Sequence, residues 1–570
     1  MLHGEIDRGY PSVKTLVKDR VASRVHRKDS SLYDFSDQAR QVADEFMGWV
    51  DLATNPPVPI EQIEAFAQEV FDEGYQFVLL IGEGGSTQAP MTITKYNSVD
   101  TNALTFRVLD SVSPVRVRST FAEFDLNKTL VIISSKSGTT IEPRSVLHAV
   151  YGEMVQHMPA DQVGRHLVAI TDPGSELEEL AKSEGWRQVF LGEPSVGGRY
   201  SALSVFGLVP AALVGINLGE YIEHARQAEA LCSEDSIDNP ASILAAYLYD
   251  NYVDGRDKFC FLTPKRGRVL GLWIEQLVAE SLGKEGQGIL PNIEIDPLQL
   301  AVDHRDRTAV MYKTQTDYWD ERKNFEMSQS YMHPAIPRIN YQIDSVAELA
   351  EHFVMWEYAV AMCAYLMKVC PFDQPDVSVA KGAVLDILAN GHPKPDLVQN
   401  TIGFMHMGEI EVRLGRTMEG AIDLEDALFK LLESIQPGDY FALNAFLPFG
   451  GEGRREALEQ IRHCIAETFG VVSCLEIGPR YLHSTGQLQK GGPNNGVFLI
   501  VSADELKDIP VEDGPTPSLA ELAKAQAEGD LKVLSERRRR CIHVHLPDNS
   551  GIMLRQLADV VQRIALNVKA

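Results

Sequence analysis

Two short stretches of this chain collect groups that can hold an anion. Residues 132–143, IISSKSGTTIEP, set Ser135, Ser137, Thr139 and Thr140 around Lys136 and Gly138, directly behind an apolar run. Residues 81–90, IGEGGSTQAP, place Gly82, Gly84, Gly85 and Ser86 behind another. Hydroxyls donate hydrogen bonds without adding negative charge, and glycine lets the backbone close on a ligand. Either loop taken alone is equally a helix cap filled with ordinary turn residues. Two of them favour a ligand of phosphate size. Neither matches G-x-G-x-x-G or a Walker loop, so a small phosphorylated molecule fits better than a dinucleotide.

The elements around these loops say where the ligand would lie. Each loop follows a strand and opens a helix, where unpaired backbone N–H groups and the helix dipole favour negative charge. Strands are expected at 77–81, 106–110, 129–134, 167–171 and 187–191, each followed by a turn or helix. The alternation returns at 258–263, 440–447, 471–477 and 496–501. Apolar strands alternating with helices predict an α/β fold of parallel sheets, with ligands outside the strands' carboxyl ends. Residues 345–368 keep apolar residues at helical spacing and predict a long helix that packs one broad face on the core. The expected division is an N-terminal helical extension (1–50), a first unit (51–232), a second unit (233–507) with a mainly helical insertion (330–435), and a C-terminal linker and segment (508–570). The Pro- and Gly-rich 508–518 marks the start of the last part, which should hold a helix, a strand and a final helix.

Composition narrows the function classes. The chain has 570 residues, enough for several cores, with ordinary apolar (44%) and charged (23%) fractions. A net charge of −27 opposes a nucleic-acid backbone as partner. Seven cysteines fall singly, without C-x-x-C pairs, as reduced thiols do, and the N-terminus lacks an apolar signal region. Both point to the cytoplasm. The apolar stretch 201–219 is broken by Ser204 and Pro210 and reads as a buried helix, so no membrane partner is expected. The Arg537–Arg540 run reads as a solvated helix end.

Five motifs in order, GEGGS, SSKSGTTIEP, VGGRYSALSVFGLVPAAL, WIEQLVAESLGKEGQGILP and GPRYLHSTGQLQKGG, resemble the phosphoglucose isomerase family. With PFDQPDV and AQAEGDL, the chain is most similar to the isomerase half of bacterial transaldolase–phosphoglucose isomerase fusions. The resemblance runs from about residue 40 onward, which leaves too little chain for the (β/α)₈ barrel of a transaldolase. It implies two sugar-isomerase (SIS) domains, each a parallel sheet sandwiched by helices, and a homodimer with active sites near the subunit interface. The reaction it implies is aldose–ketose isomerisation of glucose 6-phosphate through a cis-enediol, with no metal or organic cofactor. By position it implies Glu280 as the base, Arg199 beside the enediolate oxygens, and Gln276 as a substrate contact one helical turn before Glu280. His483 would open the ring, reaching in from the neighbouring subunit, and Lys524 would assist. Gly85, Ser86, Ser135, Lys136, Ser137 and Thr140 would hold the phosphate.

Three departures bear on the anionic end of the substrate. Glu83 stands in the glycine loop where relatives carry an apolar residue, and a carboxylate there repels a dianion unless it points away or pairs with a cation. TQAP replaces the small-polar then leucine pattern after Ser86, and Pro517 stands where many relatives have a glutamine. Two other readings stay open. One keeps the mechanism on another 6-anionic hexose, such as mannose 6-phosphate or sulfoquinovose; the other is a non-catalytic sugar-phosphate sensor.

Overall fold

The computed structural model describes residues 2, 4–6, 9–97, 104–264, 267–293, 297–314, 319–400, 408–448, 451, 453–512 and 514–569. Residues 401–407, inside the expected 330–435 insertion, lie outside them.

The first sheet has five parallel strands in the order Thr105–Leu109, Phe77–Gly82, Thr129–Ser134, Leu167–Thr171, Gln188–Leu191. Helices cover both faces, so the central strands are buried throughout and read as unbroken apolar runs, TLVIIS and LVAIT among them. Chain order reverses between Phe77–Gly82 and Thr129–Ser134: the crossover after the first runs to one side, the next crossover to the other. That reversal is the topological switch point at which open α/β sheets bind ligands. Both glycine–hydroxyl loops leave the sheet there, one into the helix Gly85–Tyr96 and one into Ile141–His157.

The strands of the second half divide between two sheets. One runs Glu5–Ile6, Arg338–Ile343, Arg307–Thr314, Lys258–Leu262, Leu290–Asn292, with only the Glu5–Ile6 edge antiparallel. The other runs Leu397–Asn400, Glu409–Leu414, Arg540–Leu546, Gly496–Ala503, Tyr440–Phe446, Val472–Ile477, with parallel pairing among its last four strands. Besides its helices the 330–435 segment supplies three strands: Arg338–Ile343 and Glu409–Leu414 lie one in from a sheet edge, and Leu397–Asn400 is an edge. The C-terminal part supplies the helix Leu519–Glu536, the strand Arg540–Leu546 and the helix Gly551–Lys569 in the expected order.

The long helix forms at Val346–Met367, capped by Ser345, whose side chain accepts from the Glu348 N–H. It is buried on nearly every side rather than along one face, because the helices Leu218–Cys232, Pro240–Val253 and Arg268–Leu282 all pack on it. The apolar 201–219 stretch contains the fully buried helix Val205–Leu213, and no helix of the described residues is long and apolar enough to cross a membrane.

One carboxyl inside this core stands apart. Glu357, on the Val346–Met367 helix, is buried with its Oε1 unpartnered, and burial pushes its carboxyl well above the ordinary value. A raised acid stabilises the fold below the ordinary carboxylate range, and that contribution fades as pH climbs toward the raised pKa, at about 1.4 kcal/mol per pH unit. Glu357→Gln removes the titration. Its melting temperature should therefore gain on the wild type as pH rises from 6 to 8, and thermal unfolding at the two pH values measures the difference.

Candidate active site

The helix Arg268–Leu282 presents Gln276 and Glu280 four residues apart, on one face. Gln276 Nε2 donates to Glu280 Oε2 at 3.2 Å, and Arg199 Nη1 reaches the same oxygen at 3.2 Å. All three side chains are buried. Burial pushes the Glu280 carboxyl above its ordinary value, against the opposing pull of Arg199, His483, the Gln276 hydrogen bond and Lys284. A carboxyl raised in this way is a stronger base than a solvated one.

Arg199 is held from several directions. Its Nε donates to Ser281 Oγ at 2.9 Å, Nη1 to Gln374 Oε1 at 2.8 Å, and Nη2 to the carbonyls of Pro371 (2.5 Å) and Asp373 (2.9 Å). The PFDQ segment, 371–374, is thus a guanidinium socket. Lys284 secures the socket from below, donating to the carbonyls of Cys370 and Asp373 at 2.7 Å and to Asp373 Oδ1 at 2.6 Å.

The glycine loop packs directly on this cluster. Gly84, at φ +56°, lies where a Cβ would sit 3.0 Å from Gln276 Nε2 and 3.1 Å from His483 Cβ. At Gly85 a Cβ would come 2.0 Å from the Gly198 carbonyl oxygen. Only glycine permits this backbone-to-backbone approach of the loop to the turn that carries Arg199. Ser86 follows, buried, in the first turn of its helix.

In the second loop Ser135 Oγ lies 3.3 Å from Thr140 Oγ1, and Ser137 and Thr139 pair at 2.9 Å on the exposed side. Lys136 is directed elsewhere, to an ion pair with Asp172 and a bond to the Pro194 carbonyl at 3.0 Å. The loop ends on Glu142, which accepts from His483 Nε2 at 3.0 Å and from Gln526 Nε2 at 2.7 Å on the same oxygen. Burial alone would raise Glu142, but the His483 charge and hydrogen bond bring it below its ordinary value, so it is ionised. Thr140, Glu142, Lys381, Leu482, His483 and Gln526 line a cavity of about 270 Å³. A larger cleft of about 650 Å³ runs along the edge strand Thr105–Leu109 and is lined by Asp110 and Arg480, but by none of Glu280, Arg199 and His483.

The structure thus brings together Glu280, Gln276, Arg199, His483, Gly85 and the two loops. His483 reaches this cluster from its own chain, where the resemblance implies a neighbouring subunit. Lys524 is not brought in: it lies 3.8 Å from Glu411, beside the third sheet. Gln526, two positions later on the same helix, points the other way and meets Glu142, because residues two apart face different sides of a helix. Pro517 sits in the preceding loop, its carbonyl accepting from the Val511 N–H at 3.0 Å. Glu142, Ser281, Lys284, Gln374 and Gln526 were not singled out from sequence, although PFDQPDV and AQAEGDL, two of the strings behind the resemblance, contain Gln374 and Gln526. Among the described residues no group of His, Cys, Asp and Glu side chains could hold a metal ion.

A model of the phosphoglucose isomerase family matches residues 69–290. That span holds both loops, Arg199 and Glu280. The glucose-6-phosphate isomerase of Trichormus variabilis is 26% identical over 462 residues, 70% of this chain and 84% of that protein. The enzyme of that name from Mycoplasmopsis pulmonis is 28% identical over 392 residues, 60% of this chain and 90% of that one. Among solved structures, a hypothetical protein from Thermus thermophilus aligns with TM-score 0.56 at 22% identity, over 67% of this chain and 100% of that chain. A glucose-6-phosphate isomerase from Chlamydia trachomatis aligns with TM-score 0.52 at 16% identity, over 66% and 85%. These two similarities establish the α/β fold, with helices flanking parallel-dominated sheets.

Removing Arg199 takes the guanidinium charge from the buried Glu280 carboxyl and the donor from the Pro371 carbonyl at once. Arg199→Ala should cost about 3–5 kcal/mol of stability, whereas Gln374→Ala, which leaves the other bonds in place, should cost about 1 kcal/mol. Denaturant unfolding of the two variants checks the order, and equal losses would contradict the socket.

Proposed function

The chain belongs to the phosphoglucose isomerase family, and we propose that it interconverts glucose 6-phosphate and fructose 6-phosphate, moving a proton between C2 and C1 through a cis-enediol. The observation that carries this reading is the buried Glu280–Arg199 contact at 3.2 Å beneath two anion-suited loops at the sheet's switch point. A sensor needs the loops but has no use for a raised, buried base.

In this reading the phosphate rests on the Ser86 loop and on Ser135, Ser137 and Thr140, at the N-termini of Gly85–Tyr96 and Ile141–His157, where helix dipoles and N–H groups favour it. That anchor places the sugar's reacting carbons toward Glu280. The carboxylate takes the C2 proton, negative charge develops on the enediolate oxygens, and the fixed Arg199 guanidinium offsets it without having to reorganise. The O2 hydroxyl proton passes to O1 within the enediol, and Glu280 returns the carbon-bound proton to C1. His483, oriented by ionised Glu142, is the group placed to exchange a proton with the ring oxygen during opening. Lys136 and Lys524, tied to Asp172 and lying beside Glu411, are assigned no contact with substrate. Every step is a proton transfer. A homodimer in the cytoplasm remains our proposal for the working form, although one chain already forms the His483–Glu142 pair.

Glu280→Gln should lower kcat by about a hundred- to ten-thousand-fold, the range for a general base, with KM changed little, in a coupled assay that follows fructose 6-phosphate formation. Near-wild-type turnover would remove Glu280 from its role. In the wild type kcat should fall with acidification at a pH above the ordinary carboxylate range, since the base works only when ionised and its pKa is raised. Parallel assays with mannose 6-phosphate and sulfoquinovose test the substrate, and higher efficiency on either would displace glucose 6-phosphate. Ser135→Ala should raise KM by roughly tenfold or more, the loss of one hydrogen bond to a charged group.

A further inference from the structure

The cleft of about 650 Å³ follows an open sheet edge, and four of the five residues of the strand Thr105–Leu109 line it. This strand is the outermost of the first sheet and pairs only with Phe77–Gly82. Its Thr105 N–H bonds the Gln76 carbonyl at 2.9 Å. In a parallel ladder each residue turns its N–H and its C=O to the same side, and successive residues alternate. Phe106 and Val108 therefore turn theirs away from the sheet, toward the cleft. The Phe106 carbonyl accepts from Arg107 Nη1 at 3.2 Å. The Phe106 N–H and both Val108 groups have no partner among the described residues.

The walls differ on the two faces of the strand. Phe106 and Val108 pack toward the core that holds Ile93 of the helix Gly85–Tyr96, and with Met91 of that helix and Val214 they give the cleft an apolar wall. Thr105 and Arg107 point to the opposite face. There Arg107 Nε donates to Glu123 Oε2 at 3.1 Å, and Arg116 of the helix Pro114–Ala122 adds to a polar wall. The lining holds four cations, Lys95, Arg107, Arg116 and Arg480, against two acids, Asp110 and Glu123. That excess reverses the sign of a chain with 53 basic and 80 acidic residues. Arg480 is tied to Asp110 and Arg107 to Glu123. Lys95 and Arg116 have no carboxylate partner among the described residues, so the cleft keeps uncompensated positive charge.

We propose that this edge docks an extended segment of a partner protein in which apolar and acidic residues alternate, added as a further strand to the first sheet. The outward backbone groups of Phe106 and Val108 supply the ladder, the mode by which peptides join open sheet edges. Side chains of an added strand point alternately to the two faces of the sheet. One set meets Phe106, Val108, Met91 and Val214 and is apolar. The other meets Arg107 and Arg116 and is acidic, with Lys95 and Arg480 adding to the attraction. Charged side chains on an edge also keep unsuitable strands away. The arginines that draw an acidic segment thus select against basic or wholly apolar ones.

The probe is a fluorescein-labelled peptide of about eight residues, within the length of an ordinary strand, in which Val and Glu alternate. Its anisotropy is followed on titration with the full chain. It should bind saturably, and binding should weaken as salt rises. The counterpart with Lys in place of Glu should not bind, and a peptide of the same composition with its valines and glutamates in two blocks should bind more weakly. Arg116→Glu should weaken binding by roughly tenfold or more, because a like charge then faces the peptide. Val108→Pro removes an outward N–H without touching the ladder to Phe77–Gly82 and should weaken binding as well. If that variant fails to fold, N-methylation of the peptide decides: methylating one set of alternate amides, the set that faces the strand, should abolish binding, and methylating the other should not. No saturable binding of the Val–Glu peptide, equal binding of the Lys counterpart, or indifference to both Arg116→Glu and amide methylation would each overturn the assignment. Sedimentation showing a dimer that Val108→Pro dissociates would place a second copy of the chain on this edge, and would overturn it too.

Discussion

The site depends on how one guanidinium is held. Arg199 joins three segments far apart in sequence: the Gly198–Tyr200 turn, the end of the Arg268–Leu282 helix at Glu280 and Ser281, and the PFDQ socket. Burying an arginine is costly unless its donors are satisfied and a counter-charge is near. Both conditions are met here, and each partner also has another duty. Glu280 is the proposed base, Ser281 also lies 3.2 Å from the Tyr200 hydroxyl, and the Pro371 and Asp373 carbonyls belong to a loop that Lys284 ties down separately. The guanidinium is consequently fixed before any ligand arrives, and a fixed donor needs no reorganisation when charge develops beside it. The same contact restrains Glu280: the arginine keeps its ionised form within reach while burial keeps it basic.

Around that pair the charges are distributed so that few are left over. The chain carries a net charge of −27, which as a whole repels an anionic substrate. The loops at the switch point respond with uncharged donors, hydroxyls and backbone N–H groups, whose attraction does not depend on lysines. Two of the nearby lysines are already committed, Lys136 to Asp172 and Lys284 to Asp373. Local geometry at two helix N-termini therefore acts where the overall field is adverse. Two of the surrounding carboxyls are managed in pairs, Asp110 with Arg480 and Glu142 with His483.

Much of the first sheet was legible in the sequence because strands buried on both faces must be apolar throughout. TLVIIS at 129–134 and LVAIT at 167–171 coincide with the observed strands to the residue. The two loops were legible because a switch point requires a strand end, a helix start and small residues together. What stayed hidden depended on long-range partners. RTAVMYKT, at 307–314, is a central strand of the second sheet, yet nothing local separates the sheet it joins from the one containing Tyr440–Phe446. Lys524 and Gln526 share a helix, and which of them faces the site is set by the helix's rotation against its neighbours, a tertiary fact. Glu142 reads locally as an ordinary first-turn carboxylate; only the fold brings His483 and Gln526 onto it.

The meeting of those remote residues at Glu142 has a consequence for how the site works as a unit. His483 and Gln526 come from the C-terminal third, outside the stretch that the family model matches, and both donate to one oxygen of Glu142. Glu142 in turn occupies the first turn of the helix opened by the Ser135–Thr140 loop. Any movement of that loop on an anion is therefore felt directly by the histidine and by the Leu519–Glu536 helix that carries Gln526. Gly84 makes the corresponding approach from the other loop, leaving no room for a side chain beside Gln276 and His483. In the proposed reading, the loops that hold the inert end of the substrate are thereby connected to the groups at its reacting end. Such continuity lets binding energy gathered at the phosphate be expressed as alignment at C1 and C2, which is how interactions remote from the chemistry raise kcat rather than only lowering KM.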